Sequence, residues 1–192
     1  MVQILSRKII IIPFLLIGLF FLGISSASAE ERIFFSPQTN LEQIDIDLID
    51  RSTRTIDIAM YAFTDRQIAA ALIRAAERGV RIRIYRDDIQ IRDRGDVTGI
   101  LEGVPGIEIR IKNNKFWNIM HLKAFVIDGR ILREGSANWS PAGEGASCFR
   151  GNCGYGQQQD NDLLITDDTS DIQNFEKTFE RIWNRPKNQP QK

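Results

Sequence analysis

The sequence predicts an α/β fold in which one domain holds a mixed β-sheet sandwiched by helices. Stretches with the two-residue alternation of strands and stretches with the spacing of amphipathic helices follow each other in βαβ order after residue 30. The chain has 192 residues, of which 43% are hydrophobic and 26% are charged. This composition suits one globular domain with a sizeable core.

The first half of the domain is predicted to alternate strands with helices. Residues 33–35 form a short strand that ends at a Ser-Pro pair, and apolar residues at helical spacing then predict a helix over 41–51. Residues 55–61 alternate as a buried strand. A helix over 66–78 follows, with an acidic capping residue before it and a glycine after it, and 80–85 resume strand alternation.

The middle of the chain predicts a connection, a strand and a hairpin. Residues 86–103 are charged and punctuated by glycine, so we expect a partly helical surface connection, and 107–111 return to strand character. Asp128-Gly129 favours a tight turn between 123–127 and 130–134. These two strands should therefore pair directly.

A long polar loop precedes the last two elements. Residues 140–160 are rich in Gly, Ser and Gln, and connections of this length are functional loops or disordered segments. They contain the two cysteines, Cys148 and Cys153, for which we predict a disulfide, with two unpaired thiols as the alternative. A strand over 163–166 and an amphipathic helix over 168–185 complete the domain.

Residues 1–29 are predicted to be a signal peptide and not part of the domain. Two basic residues precede an apolar run over 9–24, and Ala27-Ser28-Ala29 supplies small residues for cleavage. The mature protein would be 30–192, exported to the periplasm or secreted. A retained membrane anchor is the alternative, since the apolar run is only slightly shorter than the roughly 17 to 25 residues that span a bilayer.

The charge balance limits the partners. The predicted mature chain loses two of 25 basic residues and none of 25 acidic ones, which leaves 23 against 25. Any binding to nucleic acid must therefore come from a local basic patch and not from a global positive field.

The residues that suggest chemistry begin at the single histidine of the chain, His121. Lys123 follows two positions later, so on a strand both side chains would project from one face. Ser136 and Asn138 stand near the end of the adjoining strand. A neutral imidazole beside a cation and polar donors suits attack on a phosphodiester, because the donors stabilise charge on the phosphoryl oxygens. Taken singly, His121 and Lys123 would be ordinary structural residues, and Asn138 could instead cap the following segment.

The spacing H-x-K-x4-D-x6-G-S-x-N, from His121 through Asp128 to Asn138, resembles the signature of the phospholipase D superfamily. The segments 35–37 and 56–64 and the helix-glycine-strand unit also resemble the small bacterial Nuc-type endonucleases of that family. The resemblance covers residues 33–183.

The sequence shows no cluster of metal-ligating residues, so neither a nuclease nor a lipase would imply a cofactor. The resemblance implies a reaction in two steps. His121 would form a covalent phosphohistidine, and a second histidine would protonate the leaving alcohol. Because the chain has one histidine, the resemblance implies a homodimer with its site on the two-fold axis. Lys123 and Asn138 would hold phosphate oxygens, Ser136 would support the phosphate or the motif turn, and Asp128 would buttress the motif.

Family members also carry an acidic residue, usually Glu, that orients the nucleophilic histidine shortly before the last strand. Asp160 matches that place best, but Asp162 lies on the same strand face, so both remain open. The loop with the cysteines looks inserted between the motif and this acid, where it could gate the cleft.

Further basic and aromatic residues lie outside the motif. Lys115 and Trp117 precede His121 in a stretch able to grip phosphates and stack bases, with a solvated loop as the alternative. For Arg81, Arg83 and Arg86 we expect a solvated sheet edge and no function.

Three functions are compatible with these residues. The leading prediction is a nuclease with little sequence preference that acts on DNA, with RNA left open. The second is a phospholipase D that hydrolyses phospholipid head groups, since the motif binds the phosphodiester and not the groups that it joins. The third is an inactive DNA-binding or membrane-associated module, against which the intact His121, Lys123 and Asn138 argue.

Overall fold

A mixed sheet of eight strands runs through the protein. The computed structural model describes residues 29–113, 118–186 and 188–190. The strands are β1 Glu31–Ser36, β2 Thr55–Met60, β3 Arg81–Asp87, β4 Ile107–Lys112, β5 Lys123–Ile127, β6 Ile131–Gly135, β7 Asn161–Thr166 and β8 Gln189–Pro190. The predicted α/β fold with a mixed sheet is confirmed.

The strand order places many strand ends at one edge of the sheet. The order is β1-β7-β6-β5-β2-β3-β4-β8, in which β2, β3 and β4 are parallel and every other pair is antiparallel. Consequently β1, β2, β3, β4 and β6 end, and β5 and β7 begin, at the same edge. We call it the motif edge, because His121 lies two residues before the start of β5 there.

Helices cover both faces of the sheet. They are α1 Leu41–Asp50, α2 Arg66–Glu77, α3 Ala146–Phe149 and α4 Thr169–Trp183, with short 3-10 turns at Gln90–Arg92 and Thr98–Leu101. Helices α1 and α2 pack on one apolar core, whereas α4 contributes to a second core on the opposite face. Within the described residues, no helix combines the length and apolar character needed to cross a membrane. The predicted signal peptide falls, except for Ala29, outside the described residues and stays a prediction.

The predicted turn at Asp128-Gly129 joins β5 to β6. Both residues have positive φ angles, 56° and 64°. Positive φ at two successive turn residues suits the right-handed twist of the flanking strands, and Asp and Gly adopt it more readily than other residues. The hairpin brings the start of β5 beside the end of β6, so the two halves of the motif meet at the motif edge.

The expectation of a solvated sheet edge for Arg81, Arg83 and Arg86 was wrong for two of the three. Strand β3 lies between β2 and β4, so its side chains face the packed layers. Arg83 donates to Asp57 at 2.7 Å, and Arg86 is fully buried and forms an ion pair with Asp96. Arg81 alone of the three is exposed. Arginine enters an interior only where a partner compensates its charge.

The loop over 140–160 is packed at its beginning against the β1–α1 connection. The Ser36 hydroxyl donates to the Gly143 carbonyl at 2.9 Å, and the Glu144 carbonyl accepts from the first amide of α1 at 2.9 Å. Cys148 and Cys153 are joined by a disulfide. This half of the loop is therefore a structural part of the motif edge.

A buried ion cluster ties the loop, α1 and the hairpin together. Arg133 on β6 is fully buried, and its Nε donates to Asp45 of α1 at 3.0 Å. The other oxygen of Asp45 accepts from Trp139 Nε1 at 2.7 Å, and Arg133 also donates to the Lys123 carbonyl at 3.0 Å. Glu144 lies 3.7 Å from Arg133, and burial and the nearby Asp45 raise its pKa well above the usual range.

Replacing Asp45 with Ala tests this cluster. The substitution leaves a buried guanidinium without its main carboxylate, so we expect the free energy of unfolding to fall by about 3–5 kcal/mol. Asp47→Ala on the same helix is the matched control, because Asp47 pairs only at the surface and should change stability by less than about 1 kcal/mol. Urea denaturation measures both, and equal losses would contradict a dominant role for the buried cluster.

Candidate active site

The motif residues meet where β5 begins and β6 has just ended. Lys123 is the first residue of β5, His121 lies two residues before it, and Asn138 follows β6. Antiparallel pairing of the hairpin makes these neighbours although they are distant along the chain. Strand ends at a sheet edge are common places for functional side chains, since the scaffold below holds them rigidly.

The His121 and Lys123 side chains contact each other directly, as their spacing predicts. Lys123 Nζ lies 3.3 Å from Nδ1 and 3.4 Å from Nε2 of the imidazole, and it donates to the His121 carbonyl at 3.0 Å. Lys123 is only 8% exposed, whereas His121 is exposed at the motif edge. The imidazole is thus held by a buried cation and presented to solvent.

Tyr61, at the end of β2, completes this group and was missed by the sequence analysis. Its ring centroid lies 4.5 Å from that of His121 and 5.3 Å from Lys123 Nζ. Its amide donates to the Leu122 carbonyl at 2.9 Å. The aromatic ring packs against the imidazole and also attracts the ammonium. The signal in the sequence was its place as the last residue of the predicted strand 55–61, and only the pairing of β2 with β5 makes that place informative.

The surroundings favour the neutral form of the imidazole. Partial burial lowers the pKa of His121, the Lys123 ammonium lowers it further, and the Asp87 carboxylate raises it by a smaller amount. The pKa of Lys123 is itself lowered, first by burial and then by Arg133. A neutral imidazole has the lone pair that a nucleophile needs.

Asn138 and Ser136 are each oriented by a specific partner. Asn138 Oδ1 accepts from the Ala62 amide at 3.1 Å, so Nδ2 is the atom of this amide that would bind a phosphate oxygen. The Ser136 hydroxyl donates to the Asp162 carboxylate, whose Oδ1 also accepts from the Ser136 amide at 3.1 Å. These contacts fasten the turn after β6 to the start of β7.

The two candidate orienting carboxylates have different surroundings. Asp162 is engaged with Ser136, and that hydrogen bond lowers its pKa. Asp160 is exposed and lines an open cavity of about 450 Å³ together with Phe35, Ser136 and Asp162. Among the described residues, neither carboxylate is hydrogen-bonded to His121. The choice between them therefore stays a prediction, and the engagement of Asp162 leaves Asp160 as the preferred candidate.

Asp128 lies at the other end of the strands, opposite the motif edge. Its carboxylate accepts from the amides of Thr53, Arg54 and Thr55 at 3.0, 2.7 and 2.9 Å. Burial acts to raise its pKa, but these hydrogen bonds outweigh it, and the pKa is lowered. The structure thus separates Asp128 from His121 by the length of β5, and the contacts of Asp128 hold the hairpin to the start of β2.

Two predicted substrate-binding residues, Lys115 and Trp117, lie outside the described residues. The disulfide joins Cys148 to Cys153 within the loop that follows the motif. Among the residues that the structure describes, no group of three or more His, Cys, Asp or Glu side chains is placed to hold a metal ion.

Comparison with known proteins identifies one recurring family. The sequence model described as "Cardiolipin synthase, PLD-like domain" matches residues 46–183. The chain is 30% identical over 158 residues to the mitochondrial cardiolipin hydrolase of Drosophila melanogaster, which covers 72% of this chain and 56% of that protein. For the Xenopus laevis protein of the same name the identity is 29% over 130 residues, or 68% of this chain and 55% of that protein. The chain therefore spans little more than half the length of these relatives.

Two solved structures share the fold over nearly their whole length. NucT from Helicobacter pylori superposes with a TM-score of 0.70 at 25% identity, covering 81% of this chain and 96% of that one. Nuc from Salmonella typhimurium, described as a phospholipase D family member, gives a TM-score of 0.71 at 20% identity, covering 86% and 99%. The second likeness concerns the fold alone.

Replacing Lys123 tests its electrostatic effect on the imidazole. In Lys123→Met the nearby positive charge is lost, so the pKa of His121 should rise toward its ordinary value, while Lys123→Arg retains the charge and should leave it low. Because the chain has one histidine, a proton NMR titration of tag-free protein reports this group without assignment. An unchanged titration in Lys123→Met would exclude the proposed coupling.

Proposed function

Because this chain belongs to the PLD-like family and is a phosphodiesterase of the phospholipase D superfamily, we propose that it is an endonuclease that cleaves nucleic acid without a metal ion. The observation that carries the proposal is the contact between the imidazole of His121 and the ammonium of Lys123 at an exposed edge. An open edge gives a long polymer access to the nucleophile. The near-complete overlap with Nuc-type structures also favours a nuclease.

In the proposed first step, a ring nitrogen of His121 forms a bond to phosphorus and the bond to the leaving oxygen breaks. Lys123 Nζ and Asn138 Nδ2 donate to the phosphoryl oxygens, which carry more charge in the transition state than in the substrate. Positioned donors of this kind typically contribute about 10²–10³ in rate each. The product is a phosphohistidine and a free alcohol.

In the second step, water attacks the phosphohistidine and breaks the P–N bond, which restores a neutral His121. An acid must protonate the leaving alcohol in the first step, and the same group can deprotonate the water in the second. Asp160 would hold the other ring nitrogen of His121 and so keep the imidazole in one orientation and tautomer. Ser136 would support the turn after β6, which its hydrogen bonds with Asp162 hold in place.

The acid is proposed to be His121 of a second copy of the chain, since each chain carries one histidine. The surface around His121 supports such pairing. Ile119 and Leu122 lie close to His121 in the chain and expose 38% and 40% of their surface, so a partner that covered them would remove apolar area from water. A second copy on a two-fold axis would cover both side chains and bring the two imidazoles together.

A phospholipid is the second candidate substrate. The matching family description names cardiolipin synthase, and the curated relatives are named cardiolipin hydrolases. The proposed steps at phosphorus would be the same, because His121 and Lys123 act on the phosphodiester and not on its substituents. Product analysis decides between the two substrates.

The substrate proposal is tested with mature protein and its His121→Asn variant in EDTA. Each is incubated with single-stranded DNA, plasmid DNA, RNA, and vesicles of phosphatidylcholine or cardiolipin. We expect the wild-type protein alone to cleave nucleic acid, with a loss of at least about 10³-fold in the variant. Acid-labile phosphorylated protein should be trapped only when His121 is present.

Other outcomes have equally definite meanings. Release of choline or phosphatidic acid without nucleic acid cleavage would replace the nuclease by the phospholipase. Cleavage that EDTA abolishes would contradict the metal-independent mechanism. The absence of product from all substrates, with DNA bound equally by both proteins, would support a binding module instead.

Subunit mixing tests the shared site. Wild-type chains are unfolded and refolded with a large excess of His121→Asn chains, so that nearly every wild-type chain pairs with a variant. We expect the activity per wild-type chain to fall to a small fraction of its value in undiluted wild-type protein, because each mixed dimer lacks the second histidine. Dilution with the exposed-surface variant Asp47→Ala is the control. Retained activity at high excess would show that each chain is self-sufficient.

A further inference from the structure

The segment that carries His121 is held by a buried carboxylate from another strand. Residues 118–122 have no regular secondary structure. Asp87, at the end of β3, is fully buried, and its Oδ2 accepts from the Met120 amide at 2.7 Å. Met120 immediately precedes His121 and packs in the second core. The carboxylate therefore acts one residue away from the imidazole.

Two further strand ends secure the same segment. Lys112, at the end of β4, donates to the carbonyls of Asn118 and Ile119, the latter at 3.0 Å. The Tyr61 amide, beyond the end of β2, donates to the Leu122 carbonyl at 2.9 Å. The ends of three parallel strands thus hold a segment that has no regular secondary structure, and among these four hydrogen bonds only that of Asp87 has a charged acceptor.

We propose that Asp87 is a positioning residue for His121. It fixes the backbone segment that precedes His121, and its negative charge opposes the effect of the Lys123 ammonium on the imidazole. The inference rests on the proposed function only in taking His121 as the nucleophile. Asp87 does not touch the substrate in this proposal. Its effect passes through the Met120 amide and through the electrostatic field at the imidazole.

The charges that face His121 come from two strands. Lys123 on β5 favours the neutral imidazole, and Asp87 on β3 favours the protonated form, so its presence raises the pKa of His121. Tyr61, which directly follows β2, contacts the ring. Without Asp87 the imidazole would be less basic, and a less basic nitrogen is a weaker nucleophile. The carboxylate thus limits how far Lys123 depresses that basicity.

A purely structural role is the competing explanation. Asp87 Oδ1 also accepts from the Ile89 amide at 2.9 Å and so begins the turn after β3. In Asp87→Asn the negative charge disappears and one of the two acceptor oxygens becomes an NH2 group, so the side chain can keep its contact with Met120 or with Ile89 but not both. The His121 titration therefore reports the lost charge, and exchange of the Met120 amide in the variant reports whether the contact with the segment is kept. Asp88→Asn makes the same charge change one residue later, at a carboxylate that pairs with the exposed Arg92. It is the matched control.

The experiment follows the single histidine by NMR in tag-free wild-type protein, Asp87→Asn and Asp88→Asn. We expect the pKa of His121 to be lower in Asp87→Asn than in wild type and unchanged in Asp88→Asn. In the nuclease assay, the acid limb should move to lower pH, and kcat should fall by roughly tenfold with little change in KM. The NMR result needs no activity, so it remains decisive if the substrate proposal fails.

Two results would overturn the inference. One is a His121 titration in folded Asp87→Asn that equals the wild-type or Asp88→Asn titration. The other concerns wild-type protein alone and holds even if Asp87→Asn does not fold: the Met120 amide must exchange with solvent far more slowly than an exposed amide. Rapid exchange there would show that the Asp87 contact does not hold the segment in solution.

Discussion

The buried guanidinium of Arg133 is the interaction on which the motif edge depends. It extends from β6 and reaches Asp45 of α1, the carbonyl of Lys123 at the start of β5, and the carbonyl of Ala137 in the motif turn at 3.3 Å. A buried charge with a missing partner costs several kcal/mol, so these elements must be in place together. The same guanidinium also lowers the pKa of Lys123. Arg133 therefore contributes both to the structural support of the site and to its electrostatics.

The turn after β2 and the turn after β6 hold each other. Asn138 Oδ1 accepts from the Ala62 amide, and the Trp139 carbonyl accepts from the amides of Thr64 and Asp65 at 2.7 and 3.1 Å. Asp65 then caps α2 through the Gln67 amide at 2.7 Å. Asn138, the proposed amide donor of the site, is thus fixed by the same backbone that begins a helix. Such support keeps a donor in place without reorganisation during the reaction.

The loop with the disulfide adds a third connection to this edge. Arg150 lies between the two bonded cysteines and forms ion pairs with Glu42 at the start of α1 and, at 3.9 Å, with Asp65. Burial and Asp65 raise the pKa of Glu42, while Arg150 opposes them. A stretch that is rich in glycine is therefore also held by a disulfide and by charge pairs at both helix starts.

The sequence by itself determined β1 to β7, the helices α1, α2 and α4, the hairpin and the pairing of His121 with Lys123, whereas it predicted neither α3 nor β8. These features are local, since they depend on side-chain periodicity and on the backbone preference of Asp128-Gly129. Only the tertiary structure decided that Arg86 is buried, that Tyr61 packs on the imidazole and that Asp87 holds the segment before it. Those contacts depend on which strands become neighbours, and distant pairing leaves no periodic pattern in the sequence.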